Sequence, residues 1–166
     1  MAFIVGGPAP EFTAPAVLGD NRIDEAFALS SLRGKNVVLF FYPLDFTFVC
    51  PTELHAFQEK LDAFEERDVA VVGVSIASQF CHFAWLNTPK AKGGIEGVTY
   101  PLVADCTKQI ARDYDVLLED DGVALRGLFL IDKDGVVQSE IVNNLPLGRN
   151  VDEALRLVDA LRFHEE

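Results

Sequence analysis

Val37-Val38-Leu39-Phe40-Phe41-Tyr42-Pro43-Leu44-Asp45-Phe46-Thr47-Phe48-Val49-Cys50-Pro51-Thr52-Glu53-Leu54 changes its periodicity half-way along. As far as Tyr42 it is an unbroken apolar run, the pattern of a buried strand, closed by Pro43. From Leu54 the pattern is helical, with Leu54, Phe57, Leu61 and Phe64 recurring on one face. The joint between strand and helix holds one cysteine. Pro51 favours the first helical position, which makes Cys50 the cap; alternatively Thr47 caps, and Cys50 falls in the first turn. In either register the thiol lies among unpaired backbone N–H groups at the positive end of a helix, where a thiolate is stabilised and its pKa falls. That is the setting of a nucleophile.

The strand belongs to an α/β pattern. Phe12 to Leu18 and Leu29 to Leu32 read as weak extended segments around the Gly19-Asp20-Asn21 turn. The strand Asn36 to Tyr42 leads to a helix from about Cys50 to Arg67. Ala70 to Ser75 is a second buried strand, Val-rich as central parallel strands are. Ser78 caps a short helix to Asn87, and the loop Pro89 to Thr99 is expected on the surface. A strand at Tyr100 to Ala104 precedes a helix capped by Asp105 and running through Tyr114. Val123 to Ile131 and Val136 to Val142 form a hairpin about Asp132-Lys133-Asp134-Gly135. Asn150 caps the last helix, with Glu153 in capping-box spacing, and Val151, Leu155 and Val158 face the core. Early crossovers imply parallel strands and the late hairpin antiparallel ones, so a mixed sheet flanked by helices is predicted.

The chain of 166 residues suits one domain spanning 1–166, and no repeat or linker divides it. Fourteen basic against twenty-six acidic residues give a formal charge of −12, the wrong balance for gripping a nucleic-acid backbone. The N-terminus lacks a basic start and a long apolar run, and no stretch reaches membrane-spanning length. Three cysteines, Cys50, Cys81 and Cys106, are too few and too scattered for a disulfide framework. A reducing, cytoplasmic compartment is expected.

A lone cytosolic cysteine is commonly a small buried hydrophobe, and Cys50 departs from that only through its place at the helix start. A Cys-x-x-Cys exchanger needs a cysteine where Glu53 stands. Cys81 and His82 are adjacent, without ligand spacing, and His55 and His164 add no cluster, so no metal site is expected.

Phe41 to Glu53 resembles the active-site signature of the peroxiredoxins, in particular their typical two-cysteine branch, which includes bacterial alkyl hydroperoxide reductase. The likeness continues in Gly73-Val74-Ser75, in Ser78-Gln79-Phe80 with His82 and Trp85, in Pro101 to Asp105, in Arg126 to Phe129 and in Leu145 to Arg149. It implies a thioredoxin-like fold with an N-terminal extension. It also implies a thiol-dependent peroxidase that reduces hydrogen peroxide and organic hydroperoxides without metal, haem or flavin of its own. Cys50 would be the peroxidatic cysteine, passing through a sulfenic acid. Thr47 would hydrogen-bond the thiolate and the peroxide, Pro43 would shield the sulfur from water, and Arg126 would stand over the thiolate. Glu53 and Arg149 match the positions that hold that arginine in place, and backbone N–H groups near Cys50 would bind the oxygens.

The resemblance also supplies partners: thioredoxin or a flavoprotein disulfide reductase as electron donor, and further copies of the chain. The strand Val136 to Val142 would pair across a homodimer, and part of the cluster Phe80, Phe83 and Trp85, with His82 near by in a packing role, would meet a neighbouring dimer in a decamer. Two departures matter. The Val-Cys-Pro resolving segment of typical members is not seen after His164-Glu165-Glu166. A truncated sequence, favoured here, an external resolving thiol, or Cys81 or Cys106 would each account for that, although a buried or semi-buried free thiol is the expected state of both. Gly93-Gly94-Ile95-Glu96 differs from the Gly-Gly-Leu-Gly of easily over-oxidised members; with no tail helix in view, resistance to sulfinic acid formation is expected. The rival readings are a chaperone-like or peroxide-relay binding assembly and, less favoured, a disulfide oxidoreductase.

Overall fold

The computed structural model describes residues 4–47 and 50–166. In chain order the strands and α-helices are β1 (Thr13–Val17), β2 (Ile23–Ala28), β3 (Asn36–Phe41), α1 (Cys50–Glu59), α2 (Leu61–Glu66), β4 (Val69–Ser75) and α3 (Gln79–Leu86). There follow β5 (Leu102–Ala104), α4 (Gln109–Asp113), β6 (Leu117–Leu118), β7 (Val123–Ala124), β8 (Arg126–Ile131), β9 (Val137–Asn143) and α5 (Val151–Glu165). Among the described residues seven strands form one sheet in the order β2-β1-β5-β4-β3-β8-β9, and β6 and β7 make a separate ribbon.

The centre of the sheet is parallel, β3 beside β4 and β4 beside β5, because helical crossovers join them. β8 lies antiparallel to β3, and β9 antiparallel to β8 across a turn in which the Asp132 carboxylate accepts from the N–H groups of Asp134 and Val136. The hairpin β1–β2 adds antiparallel to β5, an extension at the other edge.

All six residues of β3 are buried. Their alternation divides the core: Val38, Phe40 and Tyr42 face α1, α2 and α5, while Val37, Leu39 and Phe41 face Val72, Val74, Tyr114 and Phe129. Phe57 stacks on Phe40 with ring centroids 4.2 Å apart, and Leu54, Leu61 and Phe64 complete the buried stripe of α1 and α2.

Several elements differ from expectation. The helix foreseen to Arg67 breaks at Lys60 into α1 and α2, since a six-residue second piece suffices to bury Leu61 and Phe64. Leu29–Leu32 is a 3-10 turn, and the extended segment lies before it as β2. The loop after Pro89 lies largely on the surface, as expected, but is anchored there by Ile95 and Val98, both buried. Asp105 lies ahead of α4, its carboxylate accepting from the N–H groups of Ile110 and Ala111 at 3.1 and 2.8 Å. The strand expected over Val123 to Ile131 is interrupted at Leu125, whose N–H turns to Val116. In α5, capped by the Asn150 side chain, Ala154 and Leu161 join Val151 and Val158 in the core and Leu155 is only partly buried. No helix among the described residues is long and apolar enough to cross a membrane.

Candidate active site

Cys50 opens α1, with its side chain fully buried in the core that Tyr42 and Leu54 also join on that side of the sheet. It falls in the first turn of the helix. The approach to it through Phe48 and Val49 lies outside the described residues, and with it any cap there and the backbone N–H groups expected around the oxygens.

Arg126, the first residue of β8, reaches the sulfur from the strand beside β3. Its Nη1 donates to Cys50 Sγ at 3.6 Å and also to Glu53 Oε1, while Nε donates to the Leu145 carbonyl at 2.7 Å. Glu53 sits one turn into α1 and is gripped again by Arg149: Nε to Oε2 at 2.9 Å, Nη2 to Oε1 at 3.1 Å and the Arg149 backbone N–H to Oε2 at 2.9 Å. The remaining Arg149 nitrogen, Nη1, donates to the carbonyls of Phe41 and Gly127, both at 2.6 Å, and the guanidinium lies 5.2 Å above the Phe40 ring. One guanidinium therefore ties the end of β3, the start of β8 and the active-site helix together.

The charges in this cluster matter most. The side chains of Arg126, Glu53 and Arg149 are 5 %, 7 % and 3 % exposed, so two cations and one carboxylate are out of water together. An unmatched charge in such surroundings is costly, and the surplus is positive. The other group that Arg126 faces is the Cys50 sulfur. Burial works to raise the Glu53 carboxyl, but the hydrogen bonds and charge of Arg149, its backbone N–H and the Arg126 charge outweigh burial and hold the group below its usual range.

Thr47 is partly exposed, its hydroxyl donating weakly to the Leu44 carbonyl at 3.4 Å. It lines a groove of about 370 Å³ with Pro51, Thr52, His55 and Ala56, open to solvent beside the helix start. Pro43 is partly buried just beyond β3. Thus Cys50, Glu53, Arg126 and Arg149 meet in one hydrogen-bonded cluster, and Thr47 and Pro43 lie on the loop between β3 and α1.

The other cysteines are apart from this cluster in character. All three thiols are free. Cys81, half-buried on α3, is pushed up to about 11 by burial and then by the Asp45 carboxylate. Cys106 is exposed, contrary to the expectation of a buried or semi-buried thiol, because the turn before α4 buries Asp105 and turns its neighbour outward. Trp85 is fully buried, whereas Phe80 and Phe83 of the same helix are 67 % and 39 % exposed.

A second buried polar group escaped the sequence reading. Asp45 Oδ2 lies 2.6 Å from His82 Nδ1, and Oδ1 accepts from Tyr42 at 2.8 Å and from Ser75 at 3.3 Å. Burial and the Asp45 charge push the Tyr42 hydroxyl well above its ordinary range, so it remains a donor. No spacing rule joins these residues; only the fact that Asp45 lies inside the signature could have drawn attention to it.

A family model described as AhpC/TSA family matches residues 5–140. Alkyl hydroperoxide reductase C of Helicobacter pylori is 60% identical over 159 residues, covering 95% of this chain and 80% of its own length. A thioredoxin peroxidase of Echinococcus granulosus is 49% identical over 166 residues, covering all of this chain and 85% of that one. Among solved structures, the reduced 2-Cys peroxiredoxin of Plasmodium vivax superimposes with a TM-score of 0.95 at 52% identity, over 99% of this chain and 84% of that chain. The sheet order and the flanking helices are accordingly those of a thioredoxin-like fold, and the chain belongs to the AhpC/TSA family of peroxiredoxins.

Proposed function

We propose that Cys50 is the thiol with which this peroxiredoxin, a thiol-dependent peroxidase, reduces hydrogen peroxide and organic hydroperoxides. The thiolate attacks one peroxide oxygen. As the S–O bond forms the O–O bond breaks, hydroxide or alkoxide leaves and takes a proton, and the sulfur ends as a sulfenic acid oxidised by two electrons. A thiol then attacks that sulfur and displaces water, and a second thiol reduces the resulting disulfide. The name thioredoxin peroxidase, borne by one relative, supports thioredoxin as the source of those thiols; a dedicated flavoprotein disulfide reductase is the other donor that the family resemblance implies, and the setting proposed is reducing and cytoplasmic.

Arg126 holds negative charge on the sulfur and directs a peroxide oxygen toward it; Glu53 and Arg149 hold Arg126. Thr47 hydrogen-bonds the peroxide from the groove side, and Pro43 excludes water. The observation that carries this reading is the pair of buried guanidinium groups facing one carboxylate and one thiol, with Arg126 Nη1 3.6 Å from Sγ. The chain works as one domain, assembling through β9 into a homodimer and through the exposed rings of Phe80 and Phe83 into a decamer. Gly93-Gly94-Ile95-Glu96 makes it slow to over-oxidise.

The test is peroxide consumption by the purified protein with a dithiol reductant, and the mass of the Cys50 peptide after one equivalent of peroxide. Wild type should consume both peroxide classes and gain one oxygen on Cys50, and Cys50→Ser should lose about a thousandfold or more. Full turnover by Cys50→Ser, or protection of other proteins from aggregation without any turnover, would overturn the reading.

A further inference from the structure

We propose that Asp45 is a positioning residue of the peroxidase site, pinning the loop that carries Pro43 and Thr47 through a buried network with Tyr42, Ser75 and His82. The inference rests on the reading of Cys50 as the peroxide-reducing thiol.

The loop after β3 buries the wrong residue by ordinary rules. Leu44 and Phe46 are 38 % and 52 % exposed, while Asp45 between them is 4 % exposed. Two apolar side chains face water so that a carboxylate can face inward, an arrangement that burial energetics opposes unless the carboxylate is fully partnered. It is partnered from three elements at once: Tyr42 past the end of β3, Ser75 at the end of β4 and His82 on α3.

The partners also settle where protons must be. His82 Nε2 lies 3.0 Å from the Val103 carbonyl of β5, which can only accept, so Nε2 carries hydrogen. The contact between Nδ1 and Asp45 Oδ2 at 2.6 Å then needs a proton of its own, whether it resides on the ring or on the carboxyl. Tyr42 and Ser75 supply theirs to Oδ1. Both carboxyl oxygens of Asp45 are thus engaged, and an amide in its place would turn an N–H₂ toward one of these donors or lose an acceptor.

The backbone just beyond Asp45 is held by that grip. Phe46 takes a positive φ of 60°, a conformation that persists for such a residue only when its neighbours fix it, and its ring lies 5.9 Å from the centroid of Trp85. Thr47 is the next residue, in the groove beside α1. Cys50 and Arg126 are fixed separately, through Glu53 and Arg149. Asp45 therefore governs where Thr47 and Pro43 stand without governing the sulfur.

That separation is testable. In Asp45→Asn, peroxide reduction by Cys50, followed by rapid mixing, should slow about 10–100-fold, as small misplacements of contacting groups do. Alkylation of Cys50 by iodoacetamide, read on its peptide by mass spectrometry, should change less than about threefold, since the sulfur's own setting is untouched. Trp85, the sole tryptophan, should report the freed loop as altered emission. If Asp45→Asn does not fold, Ser75→Ala and Tyr42→Phe each remove one donor and should show the same split at smaller size. Unchanged peroxide rates in these variants, or equal losses in both reactions, overturn the proposal. A wild-type protein that alkylates at Cys50 yet consumes no peroxide overturns the Cys50 reading and this one with it.

Discussion

Glu53 stands between two guanidinium groups, and its charge belongs to the folded state more than to the unfolded one. Because its carboxyl is held below the ordinary 4.5, the stabilisation it supplies is complete above that pH and is lost as pH falls toward the folded value. Wild type should therefore lose stability steeply as pH falls below about 4.5, followed by denaturant midpoints from neutral pH downward, and Glu53→Gln should show a flatter curve there. At neutral pH that variant should be about 3 kcal/mol less stable, because two buried cations lose the carboxylate that pairs with both. A curve for Glu53→Gln parallel to that of wild type would contradict the assignment. The peripheral thiols differ just as sharply. With Cys81 pushed up to about 11, only about one molecule in a thousand holds it as thiolate at pH 8, whereas Cys106 is exposed. Timed alkylation should label Cys106 well before Cys81, at least about tenfold faster.

At the scale of elements, Gly127 of β8 shows how closely the site is fitted to the sheet. A Cβ there would stand 2.9 Å from Val116 Cγ1 and 3.0 Å from Phe129 Cε2, and its carbonyl is one that Arg149 holds. Gly127→Ala should cost about 1–3 kcal/mol by overpacking, measured by thermal unfolding, and should slow peroxide reduction by shifting Arg149. Strong patterns of this kind were open to a reader of the sequence. β3 and β4 are continuous apolar runs, the β8–β9 turn carries Asp and Gly, and the helix start at Cys50 is marked by Pro51. β2 was not legible, since an edge strand that buries only Phe27 has no need of apolar alternation. The break at Lys60 was hidden because Leu54, Phe57, Leu61 and Phe64 keep helical spacing straight through it. That Cys50, Glu53, Arg126 and Arg149 come together was legible only through the family resemblance, since they lie far apart in the chain. The partnership of Asp45 with His82 was not, for a contact across 37 residues leaves no trace in local periodicity.

The whole molecule leaves two features unsatisfied within one chain. β9 is an outermost strand of the sheet, and α3 holds Phe80 and Phe83 in solvent. Sedimentation velocity should find assemblies larger than one chain, and Phe80→Asp with Phe83→Asp should reduce the largest of them to dimers while peroxide reduction falls less than about tenfold. Monomers at every protein concentration would contradict this. The cluster around Cys50 has a further consequence. Glu53 and Arg149 are 96 residues apart, and Arg126 is 76 residues from the sulfur it faces. A chain emerging from the ribosome at about 5–20 residues per second carries its cysteine for several seconds before either arginine exists to meet it. On the proposed reading, in which Arg126 is what equips Cys50 to meet peroxide, that equipment arrives last, as a certificate that the sheet has closed, and an unfinished or misassembled copy would lack it.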